Sequence, residues 1–484
     1  MKKIAGLLII LVVLVLGGYF GMGVLTEKTI KKNIEVINQS NGIFAELEQY
    51  QRGFFNSTAK IQWRLHVPEH VVKDANGQSQ IAPAQDYQMD MPVVIHHGPI
   101  IFADNRVMFG MGYAESVVPF PDQYKAQFDS LYTNDSKKPN MDLSIFVNYL
   151  NNSTLNINIP SFTLTTKEGN GQVVWKGIDS RTSITSNIDK VKGGFVIDGL
   201  DYTKDDSKLS LGKVSSDYDL HETPAGLYLG NATFSLPSFV ITIKNQKMFE
   251  VADFSLSSDS DIENKLFSTH FNTSLKTLLI NGQTYGPGDL ELTLRNLDAE
   301  VLAKINEQAT AMQNGSDADR QRAMLAMLPE LPKLLSKGAE FEISQLRFKM
   351  PQGLINGTML VSLPKGDTAN PFELFQKIHG TAELTLPKEV VKQLMQQSAL
   401  QQLTKQPDLQ QAIVKQLQTS QPQLNQADLT PEQLASMQTE KQLAALEQSG
   451  LVVVKGTDYV VEMNLDQGKF TVNSKPFDPA AMKF

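Results

Sequence analysis

The sequence predicts an α+β protein: an N-terminal transmembrane helix followed by an elongated, mainly antiparallel β body with helical inserts. Three observations carry that expectation. An uncharged apolar run opens the chain, apolar and polar residues then alternate with period two over many short segments, and two long stretches of helical composition interrupt the later alternation.

After Lys2 and Lys3, the run Ile4 to Leu25 carries no charge over 22 residues, about 33 Å as a helix, which is enough to cross a bilayer. A cleaved signal peptide has a shorter apolar region, roughly 7–15 residues, that ends at an Ala-x-Ala-like site. The nearest small-x-small sequence here is the weak Gly21-Met22-Gly23. Residues 1–3 therefore read as a cytoplasmic tail and 4–25 as a retained anchor. The two leading lysines favour a body outside the cytoplasm, a bias blunted by Lys28, Lys31 and Lys32.

From Thr26 to Ser40 the spacing of Ile30, Ile34 and Ile37 suits a short helix leaving the membrane, closed by Asn41-Gly42. Strands follow. In Thr58–Pro68, Ala59, Ile61, Trp63, Leu65 and Val67 alternate with Lys60, Gln62, Arg64 and His66, the pattern of a strand with one buried face. The alternation recurs at Leu155, Ile157 and Ile159, at Leu290, Leu292 and Leu294, at Met359, Val361 and Leu363, and at Tyr459, Val461, Met463 and Leu465. Six Asn-Gly pairs, starting at Asn41, Asn76, Asn170, Asn281, Asn314 and Asn356, read as turns. Residues 26–297 are thus a β-rich region.

Residues 298–484 read as a mixed region with helical inserts at 298–337 and 387–449. Both inserts follow a Glu-Leu-Thr-Leu tetrapeptide and precede a returning strand, the order an internal duplication would leave. In the second, Pro387 suits a first helical position, Thr430-Pro431-Glu432-Gln433 has the capping-box form and Gly450 ends the run. Leu394, Leu403, Leu409, Ile413, Leu417 and Leu434 form an apolar stripe in this Gln-rich insert, expected to face the protein's own core rather than a homo-oligomer interface.

The formal net charge of −8, with Lys and Arg scattered, excludes a nucleic-acid partner. The chain has no cysteine, hence no disulfide, thiolate metal site, Cys nucleophile or lipid-modified Cys. His96 and His97 would face opposite sides of a strand, and Pro68 spoils the helix that would align His66 with His70 as metal ligands. Asp205-Asp206, and Asp259 with Asp261, read as solvated loops lacking calcium-loop spacing. No phosphate loop or nucleophile elbow is present. Catalytic, metal and cofactor residues are therefore expected to be absent.

Three stretches resemble the YdgA-like (YdgA/YihF) family of bacterial inner-membrane proteins. They are Tyr50-Gln51-Arg52-Gly53-Phe54-Phe55-Asn56-Ser57, His96-His97-Gly98-Pro99-Ile100, and Tyr285-Gly286-Pro287 running into Leu290–Asp298. Phe54 stands where the family often has Trp. The resemblance implies one span of the inner membrane, a β-rich periplasmic body and a family of unknown function. It places Tyr50, Arg52, Gly53, Phe54, Ser57, His97, Gly98 and Pro99 at motif positions that read as structural: Gly53 and Gly98-Pro99 as turn devices, and Arg52 as part of turn architecture rather than a site for an anionic lipid headgroup. The leading expectation is a non-enzymatic, membrane-anchored periplasmic envelope protein acting as scaffold or binding surface for lipid or protein partners. The alternative is a periplasmic hydrolase with a fold-assembled carboxylate site.

Overall fold

The computed structural model describes residues 2–38, 43–67, 69–73, 79–313, 324–366, 376–405 and 430–477. It divides into two compact units, Met1–Lys247 and Met248–Phe484, each built mainly from antiparallel strands with a few helices.

In the first unit, α1 (Lys2–Ile37) leads to β1 (Ile43–Arg52), β2 (Asn56–Val67), the hairpin β3 (His70–Lys73) and β4 (Ser79–Ala82), and β5 (Gln85–His97). A second small hairpin, β6 (Ile100–Ala103) and β7 (Arg106–Phe109), precedes β8 (Gly112–Val118), α2 (Asp122–Leu131) and β9 (Met141–Val147). Next come β10 (Ser153–Ile159), β11 (Phe162–Thr165), β12 (Gln172–Trp175), β13 (Ile178–Ile184), β14 (Lys190–Ile197) and β15 (Leu200–Lys204). The unit ends with β16 (Ser207–Leu211), β17 (Val214–Glu222) and β18 (Tyr228–Ile243).

These strands form an up-and-down meander: β1 pairs with β2, β2 with β5, then β8, β9, β10, β13, β14, β17 and β18 follow in turn. The last strands are long and interrupted at one transverse line, where Pro160-Ser161, Lys176-Gly177, Asp198-Gly199 and Gly212-Lys213 lie side by side against β18. Pairing continues through this crease, with Lys176 N donating to Gly199 O and Gly212 N to Ser238 O. Gly177 and Gly199 sit at φ 124° and 122°, a backbone conformation open to glycine. In every strand the apolar positions change parity there, as from Leu155, Ile157 and Ile159 to Phe162 and Leu164.

Cross-strand partners share a face, so registers assign the apolar side directly. Ile95 lies opposite Ser57 and Ala114, Ile157 opposite Leu143 and Ser180, and Ile197 opposite Ile178 and Val214. The expected strand with Ala59 and Ile61 inward is β2, where both are buried. α1 lies over this face at its first strands: Ile30 and Ile34 pack on Ala45, Ala59, Ile61, Val93 and Ile95.

The span expected at 4–25 and the short helix expected beyond it are one continuous element, α1. Among the described residues no helix is long and apolar enough to cross a membrane; the side chains of residues 2–14 lie outside that description. Part of the expected span is turned to another use. Tyr19 is buried, its hydroxyl donating to Ile100 O, and Gly18 and Gly23 lie against Pro99 and His97.

In the second unit, β19 (Gln246–Glu263), β20 (Leu266–Ile280), β21 (Gln283–Tyr285) and β22 (Gly288–Asp298) lead into α3 (Ala299–Gln313) and α4 (Leu331–Leu335). Then come β23 (Glu340–Met350), β24 (Gly353–Ser362), β25 (His379–Pro387), α5 (Lys388–Lys405) and α6 (Pro431–Ser449). β26 (Val453–Lys455), β27 (Asp458–Asp466), β28 (Lys469–Val472) and β29 (Lys475–Pro476) close the chain. Both helical excursions return the chain beside the strand it left, β23 on β22 and β27 on β25. Because β22 to β25 alternate in direction, the two excursions cap opposite ends of the sheet.

Asp298 closes the Asn-Leu-Asp passage as a helix cap, its Oδ1 accepting from the backbone N of Glu300 and Val301. Thr430 and Gln433 form the expected capping box, and Gly450 is left-handed at φ 71°. Pro387, expected inside the helix, is instead the buried last residue of β25; the helix starts at Lys388. α5 and α6 pack on each other through Ala399, Leu403, Leu434 and Ala435, while Leu394 is exposed. Leu409, Ile413 and Leu417 lie outside the described residues, as do the Asn-Gly pairs at Asn41, Asn76 and Asn314. Asn281-Gly282 makes its hairpin turn, whereas Asn356-Gly357 lies inside β24, where Gly357 lets Leu384 approach. Asp205 is in a turn, but Asp259 and Asp261, read as loop residues, are in β19.

Candidate functional site

The motif residues of the first unit converge where α1 crosses the ends of β1, β2 and β5. Arg52 pairs with Ser57 across the β1–β2 turn, and Ser57 faces Ile95 on β5. That places Ser57 Oγ 2.8 Å from His97 Nε2, with both residues only 1% exposed. Gly23 of α1 covers the ring: a Cβ there would lie 3.4 Å from Nε2.

The turns around this pair are set by close approach. A Cβ on Gly53 would meet Asn56 O at 2.3 Å, and one on Gly98 would meet Gly110 O at 1.8 Å and Met22 Sδ at 2.8 Å. Gly98-Pro99 is cis, as is Gly286-Pro287. Arg52 bridges to Glu27 of α1 at 3.6 Å and lies 5.5 Å over the Phe20 ring. Phe54 and Phe55 pack edge-on at 4.9 Å, and Phe55 packs on Tyr19 at the same distance.

A serine beside a histidine invites a nucleophile–base reading, which needs an oriented base and access for a substrate. Neither is met. His97 Nδ1 has no partner among the described residues, so no carboxylate orients the ring, and Gly23 closes the side of Nε2. Burial, then the nearby His96 and Arg52, lower the His97 pKa and keep the ring neutral. Burial raises the Tyr50 hydroxyl, which faces Ser57 without meeting hydrogen-bond geometry. The cluster is a clamp that docks α1.

The adjacent histidines separate as expected, His96 pointing away to Glu115 at 3.1 Å. His66 pairs with Asp86 at 2.7 Å, while the His70 side chain lies outside the described residues. No group of three metal-ligating side chains occurs among the described residues. Glu342, Glu383 and Glu462 line an open hollow of about 600 Å³ on the polar face of the second unit, where Arg295 pairs with Glu342 at 2.6 Å. These acids thus lie on an open, solvated face.

The other conspicuous feature is the apolar face beyond α1. None of the four buried apolar clusters among the described residues includes a residue from 148 to 243. Over that stretch Leu155, Ile157, Ile178, Ile184, Phe195 and Phe234 are only partly buried. The opposite face carries Asn156, Asp179, Arg181, Lys192 and Asp217, which line part of an open hollow of about 630 Å³. Period-two reading identified the apolar positions. What it missed is that α1 packs on the first strands and not on the later ones; the glycines inside the apolar run, which let α1 approach, were the available signal.

Comparison with known proteins adds a family match. A family model described as "Bacterial protein of unknown function (DUF945)" matches residues 1–480. The protein YdgA of Escherichia coli (strain K12) is 23% identical over 193 residues, 36% of this chain and 38% of that protein's own length. The aligned region therefore spans well under half of either chain.

Proposed function

From the premise that this chain belongs to the DUF945 family of bacterial proteins of unknown function, we propose that it is a non-enzymatic envelope protein, anchored by α1 in the inner membrane, whose periplasmic body binds the acyl chains of lipid. The apolar run Ile4–Leu25 supports the anchor. The observation that carries the lipid reading is the apolar face of β9, β10, β13, β14, β17 and β18, aligned in register and uncovered by any buried cluster. Contiguous apolar surface that is only partly buried, as here, suits a binding site better than a closed core. β10 has seven residues, about 23 Å of strand, against about 15 Å for one leaflet's hydrocarbon. The face is long enough to receive an acyl chain.

The test is a photoreactive benzophenone amino acid placed at Ile157 or Phe195 in living cells, with Asp179 on the polar face as control. Phospholipid adducts are expected at the two apolar positions and not at Asp179. Their absence from both apolar positions, or equal yields at Asp179, would sink the reading.

A further inference from the structure

The anchor leaves the first unit beside one particular edge of its sheet. α1 runs from Gly18 and Gly23, against Pro99 and His97, to Ile30 and Ile34, over Ala45 and Ile61. The chain N-terminal to Gly18 thus starts from the edge where β5 ends. The alternating strand directions put the turns at 53–55, 148–152, 185–189 and 223–227, and the β6–β7 hairpin, on this same edge.

Turns on a solvated edge are normally built from Gly, Asn, Asp, Ser and Pro. Here each carries or adjoins an exposed apolar side chain. Phe54 and Phe55 fill the first turn; Tyr149 and Leu150 sit in the next, Leu150 being 76% exposed. The β6–β7 hairpin turns Ile101 and Ala103 inward and presents Phe102, Val107 and Phe109 outward. At the 185–189 turn Ile188 is exposed at φ 63°, a left-handed conformation that a β-branched residue rarely adopts and that Asn or Gly would take at lower cost. Tyr228, adjoining the last turn, is also exposed and holds Ile188 in place, its hydroxyl donating to Ile188 O at 2.8 Å.

Where the same long strands turn at their other ends, the residues are polar. They are Lys167, Glu168 and Asn170, then Lys204, Asp205 and Asp206, then Lys244 and Asn245. The residues of these three turns are thus polar, although Ile243 beside the last and Leu131, which accepts from Lys167 N, are exposed. Rings at one level beside an anchor are the pattern of a membrane-interface belt, because an aromatic side chain is most stable between headgroups and hydrocarbon. The cation of Arg52 at the level of Phe20 suits the phosphates of that layer.

We propose that this edge is seated in the outward-facing leaflet of the bilayer that holds α1, with Phe54, Phe55, Phe102, Phe109, Leu150 and Ile188 entering the interface. The inference rests on the anchoring reading above and deepens it: the apolar face of β10, β13 and β14 then opens directly from the lipid phase. An acyl chain reaches it without crossing water.

The absence of cysteine makes the test direct. Single variants Leu150→Cys, Ile188→Cys, Asp205→Cys and Leu11→Cys of the full chain are nitroxide-labelled and reconstituted in vesicles of phosphatidylethanolamine and phosphatidylglycerol. Depth is read from collision with oxygen, which concentrates in lipid, against collision with a water-soluble nickel complex. Labels at 150 and 188 are expected to favour oxygen and the label at 205 to favour nickel. If 150 and 188 favour nickel while 11 favours oxygen, the anchor stands and the seated edge is overturned. If 11 also favours nickel, the anchoring reading falls and the seat with it.

Discussion

Two stretches of the same meander are alike in strand pairing and unlike in fate. Under α1, the apolar face of β1, β2 and β5 is a closed core in which Ala45, Ala59, Ile61, Val93 and Ile95 are buried. From β9 to β18, side chains of the same kinds stand in the same register, and Leu164, Val214, Leu227 and Leu229 are the buried apolar residues from 148 to 243. Alternation creates an apolar face in both; only a covering element turns that face into a core. A period-two pattern therefore specifies a strand's orientation and leaves its partner open.

Removing the cover gives the largest expected effect. Gly98→Ala would drive a Cβ into Gly110 O and toward Met22 of α1, and is expected to cost upwards of about 3 kcal/mol, since backbone cannot yield as a flexible side chain does. Hydrogen exchange should show protection lost in α1 and residues 98–111 before the strands from 153 to 243. A variant with unchanged protection in α1 would mean that α1 is not held at Gly98.

A matched pair of truncations measures the comparison itself. Ile95→Ala, in the core beneath α1, is expected to cost about 2–5 kcal/mol in urea unfolding, because it leaves a cavity that its neighbours cannot fill. Ile157→Ala deletes the same atoms from the uncovered face and is expected to stay within about 1 kcal/mol. Equal losses would mean that the face of β10 is a core after all.

Much of this was legible in the residues. Ala59 to Val67 announced β2, and Thr430 with Gln433 announced the start of α6, because alternation and capping are local physics. The motif residues Tyr50, Arg52, Gly53, Phe54, Ser57, His97, Gly98 and Pro99 read as structural, with Gly53 and Gly98-Pro99 as turn devices; their convergence under α1 was not legible, since it depends on pairings between segments some 40 residues apart. The crease was hidden for the opposite reason. Each strand shows only one break in its alternation, and the line appears when Gly177, Gly199 and Gly212 are laid side by side by register.

The smallest expected effect concerns pH and acts only on the covered stretch. His97 is held neutral by burial, with its pKa below the ordinary imidazole value of 6.5. Above that value the ring is neutral whether α1 is docked or lifted, so docking loses nothing to titration. As pH falls below 6.5, the ring exposed by lifting α1 takes up a proton that the docked ring refuses. The lifted state gains, and docking weakens until the docked ring can also protonate. Hydrogen exchange over residues 18–34 should therefore accelerate from neutral to mildly acid pH, while residues 153–243, which contain His221 but no buried histidine, should change less. The deciding comparison is with His97→Gln, which keeps a polar partner for Ser57 and cannot be charged. That variant should retain docking at neutral pH and lose the acid sensitivity of α1; if it keeps the wild-type pH profile, the ring beneath Gly23 does not control the cover.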